Sequence, residues 1–196
     1  MTAIEQVRER ILSHGLGIAS AQGLHALSMG DLARDLDLSK NGLFAHFASK
    51  ESLQLGVLQQ AAAMFVREVV EPGQAAAAGP AKLQLLFSRW IAWSRSPRLK
   101  GGCPFVHASA EADALPAPVR AELKSVLDGW TAILSAAIDE GKAGGHFGAG
   151  VSAEEVVFEL YGLYLGHHFW HWSMKEPQAL PRTMRAFDRL VASLKS

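Results

Sequence analysis

The stretch "SKNGLFAHFASKE", Ser39 to Glu51, decides how this chain is read. Asn41 and Gly42 are the residues that usually stop a helix, yet Leu43, Phe44 and Phe47 recur around them at helical spacing. No acid stands between Asp37 and Glu51, whereas Lys40, His46 and Lys50 do. A helix of about one and a half turns therefore carries apolar residues on one side and small polar or cationic residues on the other.

The flanks explain that division. Ser28 with Asp31 opens a helix carrying Met29, Leu32 and Leu36, and only a few residues around Asp37 and Leu38 separate it from the next, which Ser39 can cap. So tight a pair is the helix-turn-helix arrangement, whose second member can enter the major groove. Leu32, Leu36, Leu38, Leu43 and Phe47 are expected to hold the pair against a first helix. That helix starts at a Thr2–Glu5 capping box and carries Ile4, Val7, Ile11 and Ile18. Lys40, Asn41, Ala45 and His46 then point outward, small enough to approach a base-pair edge.

Helical periodicity continues through the chain, with no strand-like alternation. Ser49 can cap a fourth helix carrying Leu53, Val57, Leu58, Ala61, Phe65 and Val69. "EPGQAAAAGPAK", Glu71 to Lys82, reads as a surface connection because Pro and Gly break a helix. Further helices follow over Leu83–Ser94, up to about Asp113, from Pro116–Pro118 to the glycine loop "GKAGGHFGAG", from Ser152 onward, and from about Pro181 to Leu194. The expected fold is all-α, with roughly nine helices.

The 196 residues carry 19 basic and 19 acidic side chains, a net charge of zero. Nonspecific coating of nucleic acid is disfavoured by that balance, so any DNA binding must use a local basic surface. Nearly half the residues are hydrophobic, as in a globular protein. The N-terminus "MTAIEQVRER" has no signal-peptide apolar core, and no run of eighteen apolar residues suggests a membrane span. A cytoplasmic protein without membrane association is expected. Cys103 is the only cysteine, which excludes a disulfide within the chain. It reads as a buried, inert thiol in preference to an oxidant sensor.

"RERILSHGLGIASAQGLHALSMGDLARDLDLSKNGLFAHFASKESL", Arg8 to Leu53, resembles the DNA-binding domain of the tetracycline-repressor (TetR) family. The matching features are "RERIL", Gly23, "SMGDLA", Leu38-Ser39-Lys40, the pair Phe44 and Phe47, His46-Phe47 and Ser49-Lys50-Glu51. The resemblance implies a homodimeric, ligand-responsive transcription regulator, usually a repressor acting on a palindromic DNA operator. Residues 1–48 would form the DNA-binding domain and 49–196 the effector-binding and dimerisation domain, with a helix over 49–71 connecting them. Ser39, Lys40 and Lys50 would contact phosphates. Asn41 and Gly42 would approach bases, and His46 phosphate or base. Phe44 stands where the family usually has a tyrosine, whose hydroxyl it lacks, and Asp37 replaces the usual turn glycine.

A regulator of this kind needs a small-molecule pocket. Met64, Phe87, Trp90, Trp93, Phe105, His107, Trp130 and Tyr161 are its expected lining, mostly apolar with a few polar atoms. Between Val156 and Met174 the sequence is apolar on two stripes. One is Val156, Leu160, Leu163, His167, Trp170 and Met174; the other is Val157, Tyr161, Leu165, His168 and Trp172. Two stripes imply two partners, the chain's own core and a second subunit. The first stripe, with Met184, Phe187 and Val191 of the last helix, is the expected dimer interface.

The competing reading is a helical small-molecule or metal-binding enzyme using His167, His168 and His171. His167 and His171 are one turn apart, a spacing that can hold zinc, but no Glu follows the first His and no nearby Cys or Asp completes a site, the nearest acids being Glu159 and Glu176. No nucleophile–base pair or phosphate loop is evident either, so no catalytic residue, metal or cofactor is assigned.

Overall fold

The computed structural model describes residues 2–195. All regular structure among them is helical. α1 spans Ala3–Gln22 and ends in a single 3₁₀ turn, Leu24–Ala26. α2 is Met29–Asp35, α3 Lys40–His46, and α4 runs from Lys50 to Gln74 through a wide π-helical turn at Val66–Val70. α5 is Pro80–Ser94 and α6 Pro104–Ala110, followed by a second 3₁₀ turn at Ala112–Ala114. α7 is Ala117–Ala143, α8 is Ala153–His168 continued by a π-helical turn Phe169–Ser173, and α9 is Ala179–Ser193.

The helices form two compact units. One comprises the chain up to Met64 together with Arg95–Val126; the other comprises Phe65–Ser94 and the chain from Leu127 onward. In the first, Ile11, Leu27, Leu32, Leu43, Leu53 and Val57 are fully buried. α2 and α3 have seven residues each, too few to persist alone in water. Their helicity comes from docking, because burying a leucine side chain contributes about 1.5–3 kcal/mol. α6 packs against α1. The turn before α6 lies directly on α1: a Cβ on Gly101 would sit 2.5 Å from Ala21 Cα and from the Ser20 carbonyl oxygen.

In the second unit, Phe87, Trp93, Leu134, Ile138, Leu160 and Phe187 form the core. Glu71 to Gln74 are helical here, and so depart from the surface connection that the proline and glycine suggested. The widened turn accounts for Pro72. The Glu71 N–H reaches back five residues to the Val66 carbonyl, so the bonding pattern has already shifted where proline lacks a donor. Gly73 is there for proximity, since a Cβ would fall on the Leu86 side chain of α5. Of Glu71 to Lys82, only the stretch between Gln74 and Pro80 is non-helical.

Candidate nucleic-acid interface

The turn between α2 and α3 is built by backbone hydrogen bonds. Leu38 N–H donates to the Ala33 carbonyl (2.8 Å) and Asp37 N–H to that of Arg34 (3.2 Å). This is a Schellman closure, which requires a left-handed residue, and Asp37 has φ 55°. At the start of α2 the Ser28 hydroxyl, then the Arg34 guanidinium, hold the Asp31 carboxyl below its ordinary pKa. α3 opens at Ser39, whose Oγ accepts from the Gly42 N–H at 2.9 Å. The same oxygen lies 3.1 Å from where a Gly42 Cβ would be, so any larger residue would crowd the cap.

α3 divides as its sequence suggests. Leu43 and Phe47 are buried, whereas Lys40, Asn41, Phe44 and Ala45 are exposed and Gly42 and His46 half-buried. Phe44 leaves 49% of its surface open. It therefore sits on the outward face as an apolar contact and adds little to the core. The outward face carries a cation, an amide, a flat ring and a methyl group, with no acid.

One side chain from α1 fixes the end of this helix pair. Arg8 of α1 donates to the His46 carbonyl at 2.9 Å and lies 4.3 Å above the Phe47 ring. A cation at a helix C-terminus is favourably placed against the helix dipole. Arg8 had no signal of this role in the sequence, because its partners His46 and Phe47 lie 38 and 39 residues away. Lys50, expected at phosphate, instead donates to the His25 carbonyl at 2.5 Å. Ser49 caps α4 by accepting from the Ser52 N–H at 3.1 Å.

The expected effector residues fall into both units. Met64 and Phe105 are buried in the first, where His107 is half-buried with Nε2 3.2 Å from the Gly101 carbonyl. In the second, Trp90 is the hub of an aromatic cluster. It meets Trp130 edge-on at 5.2 Å, Tyr161 at 4.9 Å and Phe87 at 6.3 Å. Trp93 joins through Phe65, whose ring is 5.6 Å from Trp93 and 5.0 Å from Trp130. Tyr164, stacked on Trp90 at 3.9 Å, was missed in the sequence because it falls off both stripes of that helix, and Phe65 was read there only as part of the fourth helix's apolar face.

On α8 and α9 the stripes divide differently from the sequence reading. Val156, Leu160, His167, Phe187 and Val191 are buried within the unit's own core, and Leu163 and Met184 are half-buried. The apolar surface left open on α8 is Phe158, Leu165, Phe169, Trp170 and Met174. His167 accepts a place beside Thr183, Nδ1 to Oγ1 3.4 Å, and stacks parallel on His171. Among the described residues no three His, Cys, Asp or Glu side chains group as metal ligands. Cys103 is buried at the start of α6. No described helix is long and apolar enough to cross a membrane.

Two family models match the chain. "Bacterial regulatory proteins, tetR family" matches residues 11–57, and "Tetracyclin repressor-like, C-terminal domain" matches residues 79–187. Solved structures share the fold at low identity. A TetR-family regulator from Cytophaga hutchinsonii is 17% identical with a TM-score of 0.83, over 99% of this chain and 97% of that one. A protein of Saccharomonospora viridis, solved in complex with choline, is 20% identical with a TM-score of 0.77, over 96% of each chain. AibR, solved with isovaleryl coenzyme A and operator DNA, is 20% identical with a TM-score of 0.67, over 85% of each. No curated protein matches the chain.

Proposed function

Because the chain belongs to the TetR family of DNA-binding transcriptional regulators, which are not enzymes, we propose that it is a repressor released from a palindromic operator by a small, largely apolar or aromatic ligand. The observation that carries this reading is the split of α3: Leu43 and Phe47 buried, Lys40, Asn41, Phe44 and Ala45 open. In it, Lys40 and Ser39 hold phosphates, and Asn41 and Gly42 face base edges with His46 beside them. Phe44 makes apolar contact with a thymine methyl or a sugar. Lys50 reaches a phosphate only by leaving the His25 carbonyl.

A palindrome needs a twofold dimer. We place its interface on the open side of α8, where Phe158, Leu165, Phe169, Trp170 and Met174 are large apolar side chains left exposed. Gly162 and Gly166, which have open space around them, would let a partner helix come close along it. The buried members of the expected stripe support that helix from behind. The aromatic cluster around Trp90 and Trp130 supports a flat or apolar ligand, and two structural neighbours were solved with small organic molecules, choline and isovaleryl coenzyme A. A ligand binding the DNA-incompetent state a hundredfold better would shift the equilibrium by about 2.7 kcal/mol per site. Selection of bound sequences from random DNA tests the reading. An inverted repeat should emerge, and Asn41→Ala should lose about 1–3 kcal/mol at one base position of each half-site. Enrichment of no sequence would refute it.

A further inference from the structure

The 3₁₀ turn between α1 and α2 is held from outside to an unusual degree. The Glu111 carboxylate, from just beyond α6, accepts from Leu24 N–H (2.5 Å), from His25 N–H (3.3 Å) and closely from His25 Nδ1. Its side chain is only 14% exposed. From the other side, α4 holds the carbonyls of the same two residues. Gln54 Nε2 donates to Leu24 at 2.9 Å and Lys50 Nζ to His25 at 2.5 Å. Both backbone N–H groups and both carbonyls of Leu24–His25 are thus engaged by side chains 25 to 87 residues away.

A single 3₁₀ turn of three residues does not need such bracing for its own sake. A 3₁₀ turn has free N–H groups at its start, and water would satisfy them at the surface. What the bracing does is tie three segments to one point. The turn follows Gly23, which has φ 87°, and Ser28, four residues on from Leu24, caps α2. Movement of α4's first turns or of the segment after α6 is therefore passed to the start of α2, and through the Schellman turn to α3.

Resting on the operator-binding reading above, we propose that Glu111 is a positioning residue for DNA recognition: its carboxylate fixes the Leu24–His25 turn and so sets where the α2–α3 pair sits for the operator. Nonspecific DNA binding needs only charges in reach, and it does not depend on the pair's placement. Specific binding does, because base contacts demand register.

The test compares full-length wild type with Glu111→Gln, which keeps the shape but replaces one acceptor with a donor facing the His25 N–H. A second variant, His25→Ala, keeps both backbone bonds to Glu111 and removes only the ring contact. Binding is read by fluorescence anisotropy on the sequence selected by wild type and on scrambled DNA of equal length. Glu111→Gln should weaken operator binding about tenfold with scrambled DNA within twofold, and His25→Ala should fall between. Amide exchange should quicken at Leu24 and His25 and at the start of α2. Operator binding within twofold of wild type in both variants overturns the proposal, as does a parallel loss on both DNAs, which is the mark of a merely structural residue. Should Glu111→Gln not fold, Glu111→Asp, which keeps the charge but shortens its reach to Leu24 N–H and His25 N–H, decides by the same ratio. Wild type without any operator preference would instead refute the DNA-binding reading itself.

Discussion

Asp37 shows how much one backbone angle decides in a domain this small. It closes the α2–α3 turn in the left-handed region, where most non-glycine residues cost about 1–2 kcal/mol. Its acid side chain makes that cheaper than a branched residue would, but not free. Asp37→Gly is therefore expected to raise stability by up to about 1 kcal/mol, with Asp37→Val lowering it by more than that. Urea denaturation at constant m-value measures both, and a destabilised glycine variant would mean the carboxylate itself holds the turn. Arg8 makes the complementary point: a single guanidinium caps α3 and covers Phe47 at once.

At the scale of elements, what was legible in the sequence was what is decided locally. Thr2, Ser28, Ser39 and Ser152 each cap the helix they announce, because a cap hydrogen bond spans three residues. Leu43 and Phe47 were placed correctly because helical spacing decides which side they share. Gly73 was read as a helix breaker because its reason, the Leu86 side chain of α5, is tertiary. Gly73→Ala is expected to cost about 1–3 kcal/mol by overpacking, and Leu86→Ala in the same chain to recover part of that loss. Thermal melts of the two single variants and the double variant give the coupling; strictly additive losses would show that the two do not touch. The stripes of α8 were legible as apolar but not as inside or outside. A helix with apolar residues nearly all round carries no sequence mark of which face meets its own core. Glu111 and Arg8 were invisible for the same reason as Gly73, since their partners are far along the chain.

At the scale of the molecule, the account needs a dimer that presents two copies of α3. With Phe158 81% exposed and Leu165, Phe169, Trp170 and Met174 each about half open, the face on α8 is a large apolar surface for an isolated chain. Light scattering should find a dimer at micromolar concentration. Leu165→Glu with Phe169→Glu should give a folded monomer with unchanged helical circular dichroism. A wild-type monomer would move the interface elsewhere or remove it.

The central claim, that a short helix anchored by Leu43 and Phe47 offers its small and cationic face to duplex DNA, is tested most directly by titrating the selected operator across a series of salt concentrations. About three phosphates neutralised by each subunit of a dimer predict a slope of log affinity against log salt near −5. In Lys40→Ala the slope should become shallower by about two, one phosphate from each subunit. A slope near zero, or one unchanged by removing Lys40, would contradict the account.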